Sequence, residues 1–391
     1  MSIDQLDRRA LLAGTLALGA SSLAMPRMAF ARGTGSRNLM FVILRGAADG
    51  LAMLAPVGDP GFARFREPTL RDYEGARKAD GFFAIHPSLE QTGNAYAQGE
   101  ALFVHAAATS YRERSHFDGQ NMLETGGARP YDLKDGWLNR LVGLMAEQMG
   151  QAPRALAIAP TIPLALRGDA PASNYAPSAL PGASDDLKAR VAAMYQSDPQ
   201  LSALWTQALR TRAMAGGDRA TRSLRDGASA GRLAARLMKG DQGARIGMVE
   251  IDRWDTHINQ SGVFRRQAVN LDALLGAYRE GMGSAWANTM VIVATEFGRT
   301  VRINGTNGTD HGTASAAIVL GGDVKGGRVI ADWPGLSDSD LYEGRDLRPT
   351  IALQCLFAGA AAEHVGIEPN LAMKRLFPDH SDAPLTGIVR G

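Results

Sequence analysis

Six apolar runs of strand length punctuate the chain and constrain its fold more than any other feature. They are Leu39 to Leu44, Ala101 to Val104, Ala155 to Ile158, Ile246 to Ile251, Met290 to Ala294 and Ala316 to Leu320. Continuous runs of this kind, without regular apolar and polar alternation, predict strands buried on both faces. Between them, segments such as Trp137 to Met149 and Val263 to Arg279 carry apolar residues at three- and four-residue steps, the period of a helix packed on one side. Buried strands alternating with such helices predict an α/β fold: a mostly parallel sheet covered by helices on both faces. Sheets of this class place their chemistry beyond the carboxyl ends of the strands.

The ends and the middle of the chain read differently. Arg8-Arg9, the apolar run Ala10 to Ala24 and then Ala29-Phe30-Ala31 give a charged region, a short apolar region and a small-residue cleavage site. Residues 1–31 are therefore expected to be a removable twin-arginine export signal, with the translocase as a partner during export and the periplasm as destination. The run is rich in Ala and Gly and falls short of the roughly 20 strongly apolar residues of a membrane span. No other span is expected. Residues 32–391 read as a single domain in which 160–240 is a loop-rich and helical insertion. It begins with the Pro-, Ala- and Ser-rich stretch Pro160 to Ser184 and continues through helical stretches near Leu187 to Met194, Leu201 to Met214 and Ala220 to Lys239. That insertion is either a helical cap over one end of the sheet or a surface elaboration. The net charge of +2, with acids and bases interspersed, offers no basic stripe for a phosphate backbone, so no nucleic-acid partner is expected. The single cysteine, Cys355, sits in an apolar run and reads as core. No internal disulfide is available to the fold.

Four polar clusters follow predicted strands. In Arg45-Gly46-Ala47-Ala48-Asp49-Gly50, Asp49 could supply oxygen to a metal and Arg45 could hold an anion, or the segment is an ordinary turn. In Arg114-Ser115-His116-Phe117, Ser115 or His116 stands at the start of a helix, where backbone amides favour an anion and a hydroxyl could be an activated nucleophile. Ser115 could equally be a cap. Asp255 and His257, two residues apart in extended chain, point to one side and can share a metal ion, although Asp252 is an alternative to Asp255. Glu296 at a strand end, then Asp310-His311 between glycines, add three candidate ligands. The oxygen-rich, two-histidine set suits zinc or manganese, as one or two ions. His86 reads as a turn residue, His105 as a buried strand end, and His364 and His380 as surface positions.

The twin-arginine start, Leu44-Arg45-Gly46-Ala47-Ala48-Asp49-Gly50-Leu51, Arg114-Ser115-His116-Phe117, Trp254-Asp255-Thr256-His257, Thr295-Glu296-Phe297-Gly298-Arg299-Thr300 and Gly308-Thr309-Asp310-His311-Gly312 resemble the bacterial domain of unknown function 1501. The resemblance covers nearly the whole mature chain. That family looks like a branch of the alkaline phosphatase and sulfatase superfamily, whose members hold one or two metals beside a nucleophile and act on phosphate and sulfate esters. It implies an alkaline phosphatase-like fold, with His311 resembling the last metal histidine and Arg45 or Arg299 neutralising the ester oxygens. The chain departs from the superfamily pattern in three places. Asp255 and His257 are more closely spaced than usual, Glu296-Phe297 stands where Asp-His is common, and counting back from Thr125-Gly126 lands on His116 where a nucleophilic Ser115 would be expected.

Two functions follow as expectations. One is an exported metal-dependent hydrolase of phosphate or sulfate esters of small or envelope-derived molecules. The other is a non-catalytic exported binding or assembly protein with a degenerate site of the same type.

Overall fold

Strand β1 (Asn38–Leu44) is buried along its whole length, and its side chains enter two separate cores. Leu39, Phe41 and Ile43 face one, while Met40, Val42 and Leu44 face the other. A strand with no wet face needs cover on both sides, which is why its sequence is a continuous apolar run. The computed structural model describes residues 37–177, 183–216 and 224–391. The export signal expected at residues 1–31 lies outside them.

A two-stranded ribbon, β2 (Leu54–Ala55) with β3 (Ala84–Ile85), stands apart from the main sheet. The remaining strands are β4 (Ala101–Ala108), β5 (Ala155–Ile158), β6 (Ser173–Asn174), β7 (Ile246–Ile251), β8 (Thr289–Ala294), β9 (Ser315–Gly321), β10 (Arg328–Ile330) and β11 (Ile351–Ala352). With β1 they form a nine-stranded sheet in the order β10-β4-β9-β8-β1-β7-β5-β6, and β11 also pairs with β4. Every pairing is parallel except the two that β9 makes with β4 and β8. The expected mostly parallel sheet is thus present, and each of the six strands read from apolar runs is in it.

The helices, in chain order, are α1 (Gly50–Met53), α2 (Pro60–Arg66), α3 (Glu90–Ala97), α4 (His116–Thr125), α5 (Trp137–Met149), α6 (Asp185–Tyr195), α7 (Pro199–Met214), α8 (Gly227–Met238), α9 (Gln260–Met282), α10 (Leu353–Val365) and α11 (Pro369–Leu376). Helices α5, α10 and α11 cover one face of the sheet, and α3, α8 and α9 the other. Phe41 meets Trp137 edge-on at 5.1 Å and Phe357 at 5.3 Å, so β1 is locked to α5 and α10 by aromatic packing. Helices α6 and α7 bury none of their residues. Among the described residues no helix is long and apolar enough to cross a membrane.

Helix α10 corrects one expectation. It is apolar nearly all round, and His364 near its end is 1 % exposed, not a surface position. Its Nδ1 lies 3.0 Å from Asp323 Oδ2 and its Nε2 3.0 Å from the Asn38 carbonyl, which ties the entry of β1 to α10.

Candidate metal centre

Register brings the site together before any side chain is considered. In the parallel trio β8-β1-β7, Ile43 pairs with Ala294 and Leu44 with Ile251, so three strands end at one level. Their loops, 45–49, 252–257 and 295–300, leave side by side. Thr295 Oγ1 donates to the Leu44 carbonyl at 2.7 Å and accepts from Ala48 N at 2.9 Å, bracing two of the loops. Gly46, at φ +109°, lets the first loop lie against the second: a Cβ there would be 2.7 Å from Asp255 N. Gly308 does the same for the last loop, where a Cβ would be 2.0 Å from the His257 carbonyl oxygen.

Asp255 is the hub. Its Oδ1 lies 3.0 Å from His257 Nε2 and 3.3 Å from His311 Nε2, and those two nitrogens are 3.1 Å apart. Its Oδ2 lies 3.4 Å from His116 Nε2. The donor atoms of His116, Asp255 and His311 fall within 4.8 Å of one another.

Each imidazole is anchored through its other nitrogen. His116 Nδ1 is 2.9 Å from Glu296 Oε1, His257 Nδ1 is 3.2 Å from Asp310 Oδ1, and His311 Nδ1 is 3.0 Å from the Arg114 carbonyl. These partners only accept, so each Nδ1 carries a proton and each ring is held with its Nε2 towards Asp255. His116 Nε2 is buried and, apart from Asp255 Oδ2 at 3.4 Å, has no hydrogen-bond partner among the described residues. Without a cation, the 3.1 Å contact between His257 and His311 would set two lone pairs against each other. Bonds of 2.0–2.2 Å to a tetrahedral ion place neighbouring donors about 3.3–3.6 Å apart. The Asp255-His257-His311 triangle, with sides of 3.0, 3.1 and 3.3 Å, is slightly tighter than one face of such a polyhedron. The donor set, two nitrogens and one oxygen with a third nitrogen adjacent, fits zinc by ligand type.

Charge follows this geometry. Asp255 and Glu296 raise His116 to about 9 against the effect of burial. Burial would raise Asp255, but His116, His311 and Arg299 around it hold its carboxyl far below the usual range. Glu296 is likewise held below the usual range despite complete burial, by His116 and Gln120 and by the Gly46 amide.

The remaining sequence candidates take supporting places. Glu296 lies behind His116, accepting from Gly46 N at 2.8 Å and Gln120 Nε2 at 3.1 Å. Asp310 backs His257, whereas its neighbour His311 reaches Asp255. Arg299, fully buried, donates from Nη1 to Asp255 Oδ1 at 2.5 Å and from Nε to Thr309 Oγ1 at 3.0 Å. Arg45 is committed to Glu124 at 2.9 Å and to Glu250. Asp49 is not brought to the histidines. It caps α1, pairs with Arg66 at 2.6 Å and accepts from Gln260 Nε2 at 2.7 Å. Gln260 accepts in turn from Thr309 Oγ1 at 2.9 Å, so Asp49 reaches Asp255 only through Gln260, Thr309 and Arg299. Ser115 is the N-cap of α4 but its side chain makes no capping hydrogen bond, and it is the ring of His116, the first helical residue, that joins the cluster.

Sequence reading missed Arg66, which lies in no motif, and gave no role to Gln260, Thr309 and Gln120, which lie in the polar clusters. It also missed Arg112, a half-buried guanidinium that donates to the carbonyls of Thr109 and Tyr111 at 2.5 and 2.7 Å and pairs with no carboxylate among the described residues. Burial lowers it, with only weak opposition from Tyr342.

A family model described as a protein of unknown function, DUF1501, matches residues 36–374. No curated protein matches the sequence. Solved structures similar to the chain include the zinc complex of the C-terminal periplasmic domain of EcEptC from Escherichia coli, at 10 % identity and a TM-score of 0.38, covering 73 % of this chain and 72 % of that one. Another is the PsFucS1 sulfatase from Pseudoalteromonas sp., at 11 % identity and 0.39, covering 96 % and 74 %. A third is an alkaline phosphatase from the Antarctic bacterium TAB5, at 11 % identity and 0.38, covering 88 % and 99 %.

Proposed function

The chain belongs to the family of proteins of unknown function DUF1501, and from its site we propose that it is an exported metal-dependent hydrolase of phosphate or sulfate esters. The observation that carries this reading is the convergence of three Nε2 atoms, each on a ring anchored through its Nδ1, around the Asp255 carboxylate. Asp255, His257 and His311 would hold a divalent cation, zinc or manganese. When bound, it supplies Lewis acidity towards an ester oxygen and the attacking water.

The chain's own groups do the rest. Arg299 fixes Asp255, and Glu296 and Asp310 fix the rings of His116 and His257. The first amides of α4, which Ser115 leaves uncapped, face the same region and suit the non-bridging oxygens. Arg45 and Arg299 are each committed to carboxylates, so neither guanidinium is free to neutralise the ester oxygens. Water attacks phosphorus or sulfur, the bond to the ester oxygen breaks, His116 gives the leaving alcohol its Nε2 proton, and the proton released by the attacking water returns to His116. Attack by water leaves Ser115 without a bond-making role, at the N-cap position of α4.

A second reading has its own support. Arg45, Asp49 and Glu296 all sit in networks closed within the chain, as a binding protein with a degenerate site would have them. Elemental analysis separates the two, using natively exported protein beside the double variant Asp255→Ala, His257→Ala. Near-stoichiometric zinc or manganese, lost in the variant, supports the hydrolase, and turnover of phosphate or sulfate esters must then follow. No metal in either protein sinks it in favour of the binding protein.

A further inference from the structure

Helix α4 carries three polar side chains, each about one turn from the next on a single face: His116, Gln120 and Glu124. Two charged groups from distant parts of the chain bridge this stripe. Glu296 Oε1 accepts from His116 Nδ1 at 2.9 Å and from Gln120 Nε2 at 3.1 Å. Arg45 donates from Nη1 to Gln120 Oε1 at 2.8 Å and from Nη2 to Glu124 Oε1 at 2.9 Å, while its Nε donates to Glu250 of β7 at 3.0 Å. The other oxygen of Glu124 accepts from Ala165 N at 3.0 Å, which anchors the far end of the stripe. The helix comes this close because residue 119 is glycine: a Cβ there would be 2.9 Å from the ring of Phe297 and 3.4 Å from Glu296 Cβ.

Gln120 stands in the middle for a chemical reason. A guanidinium only donates and a carboxylate only accepts, so a side chain that joins them must accept at one end and donate at the other. With Arg45 on its Oε1, the Gln120 amide has one orientation, and its Nε2 is turned to Glu296. Glu296 is fully buried, so no solvent replaces a donor that it loses. We infer that Arg45 and Gln120 are positioning residues: Arg45 sets the Gln120 amide, the amide holds Glu296, and Glu296 holds the ring of His116 with its Nε2 towards Asp255. Arg45 thus acts on His116 through two side chains and never meets the ester. The consequence for turnover rests on the hydrolase reading, whereas the hold on the ring does not.

The test follows the His116 Nδ1 proton by NMR in exported protein that carries isotopically labelled histidine and is equilibrated with zinc, a diamagnetic ion. Its signal is identified by its loss in His116→Asn. Gln120→Met keeps the length of the side chain without the amide, and Arg45→Lys keeps the charge beside Glu124 and Glu250 without the fork that reaches three partners. In each, exchange of the Nδ1 proton with solvent is expected to quicken by roughly tenfold, the worth of one hydrogen bond. The double variant should exchange no faster than the single ones, because both break the same chain of contacts. The ring of His364, held by Asp323 and by the Asn38 carbonyl at the opposite end of β1, is the internal control and should not change. Unchanged exchange at His116 in Gln120→Met overturns the inference. So do additive effects in the double variant, and so does an equal change at His364, which would report a loosening of the whole fold. Turnover of p-nitrophenyl phosphate is measured separately, and kcat should fall about tenfold in Gln120→Met with KM nearly constant. Faster exchange in a protein without turnover keeps the positioning role and rejects the hydrolase, whereas turnover with an undisturbed His116 proton does the reverse.

Discussion

His257 and His311 face each other Nε2 to Nε2 at 3.1 Å, and both nitrogens lie within 3.3 Å of Asp255 Oδ1. Neither ring can rotate away from this arrangement without losing its Nδ1 partner, Asp310 for one and the Arg114 carbonyl for the other. The site is thus assembled by acceptors that stand outside it.

Asp310→Asn tests that claim. The amide would still be able to accept from His257 Nδ1, but without the charge that makes the ring a stronger donor to a cation, and Asn304 would lose its carboxylate partner. Cation affinity is expected to fall about 10–100-fold with the fold intact, as for other carboxylates behind metal-binding histidines. Competition against a chelator of known affinity reads this directly. An unchanged affinity would mean that Asp310 does not orient His257.

Glu296→Gln tests the other anchor. Removing the buried carboxylate leaves Asp255 as the only anion beside His116, so in metal-free protein the imidazole should titrate well below its present value of about 9. Turnover should drop by about 10–100-fold with it, because the ring loses its orienting charge. Proton NMR of the His116 ring across pH 5–10, roughly the span around the ordinary histidine value, gives the shift. A ring still titrating near its present value would show that Glu296 is not what raises it.

Much of the fold was legible in the sequence because burial on both faces leaves a continuous trace. β1, β7 and β8 match their apolar runs to within a residue. The same trace carries no direction, so the reversal of β9 was invisible. Helix α9 begins three residues before its apolar period because Asn259, a left-handed N-cap, sets the start through its side chain. In the site, residue type was legible but role was not. Asp310 and His311 are adjacent, yet one backs His257 and the other reaches Asp255. Glu296 and Asp49 carry the charge expected of ligands, but each meets a partner from a distant part of the chain, His116 and Arg66 respectively. Arg66 lies in a segment with no motif at all. His364 looked like a surface residue because polarity was its only mark, and its buried partner Asp323 is 41 residues away.

Asp49→Ala separates a structural role from a ligand role. Asp49 and Arg66 are each 1 % exposed, and removing one leaves the other as an uncompensated buried charge. The expected cost is about 3–5 kcal/mol, read by urea denaturation. Asp49→Ala, Arg66→Met should recover part of it. Metal content of the folded fraction should be unchanged. A small stability change with loss of the metal would instead return Asp49 to the ligand set.

The last prediction concerns acid stability and lies away from the cluster. His105 is fully buried within β4, where the pairing with β9 shifts register between Val104 and Ala107, and is stacked on Phe83 at 5.3 Å. Its Nε2 donates to the Leu54 carbonyl at 2.9 Å and its Nδ1 accepts from Ala106 N at 2.7 Å, so both nitrogens are satisfied in the neutral ring. Burial pushes it down to about 4, and His86 beside Tyr73 and Phe264 is lowered to about 4 by the same cause. Between about pH 4 and the unfolded value near 6.5, the unfolded chain takes up a proton that the native ring refuses. Stability therefore rises with pH through that window and falls as acid is added, by up to about 3 kcal/mol for His105. Replacing it with a residue that does not titrate there, His105→Gln, should remove its share of the slope while leaving that of His86. Urea unfolding free energies for the two proteins at neutral pH and near pH 4.5, inside the window just described, give the comparison. Parallel losses in wild type and variant would show that His105 is not the group refusing the proton.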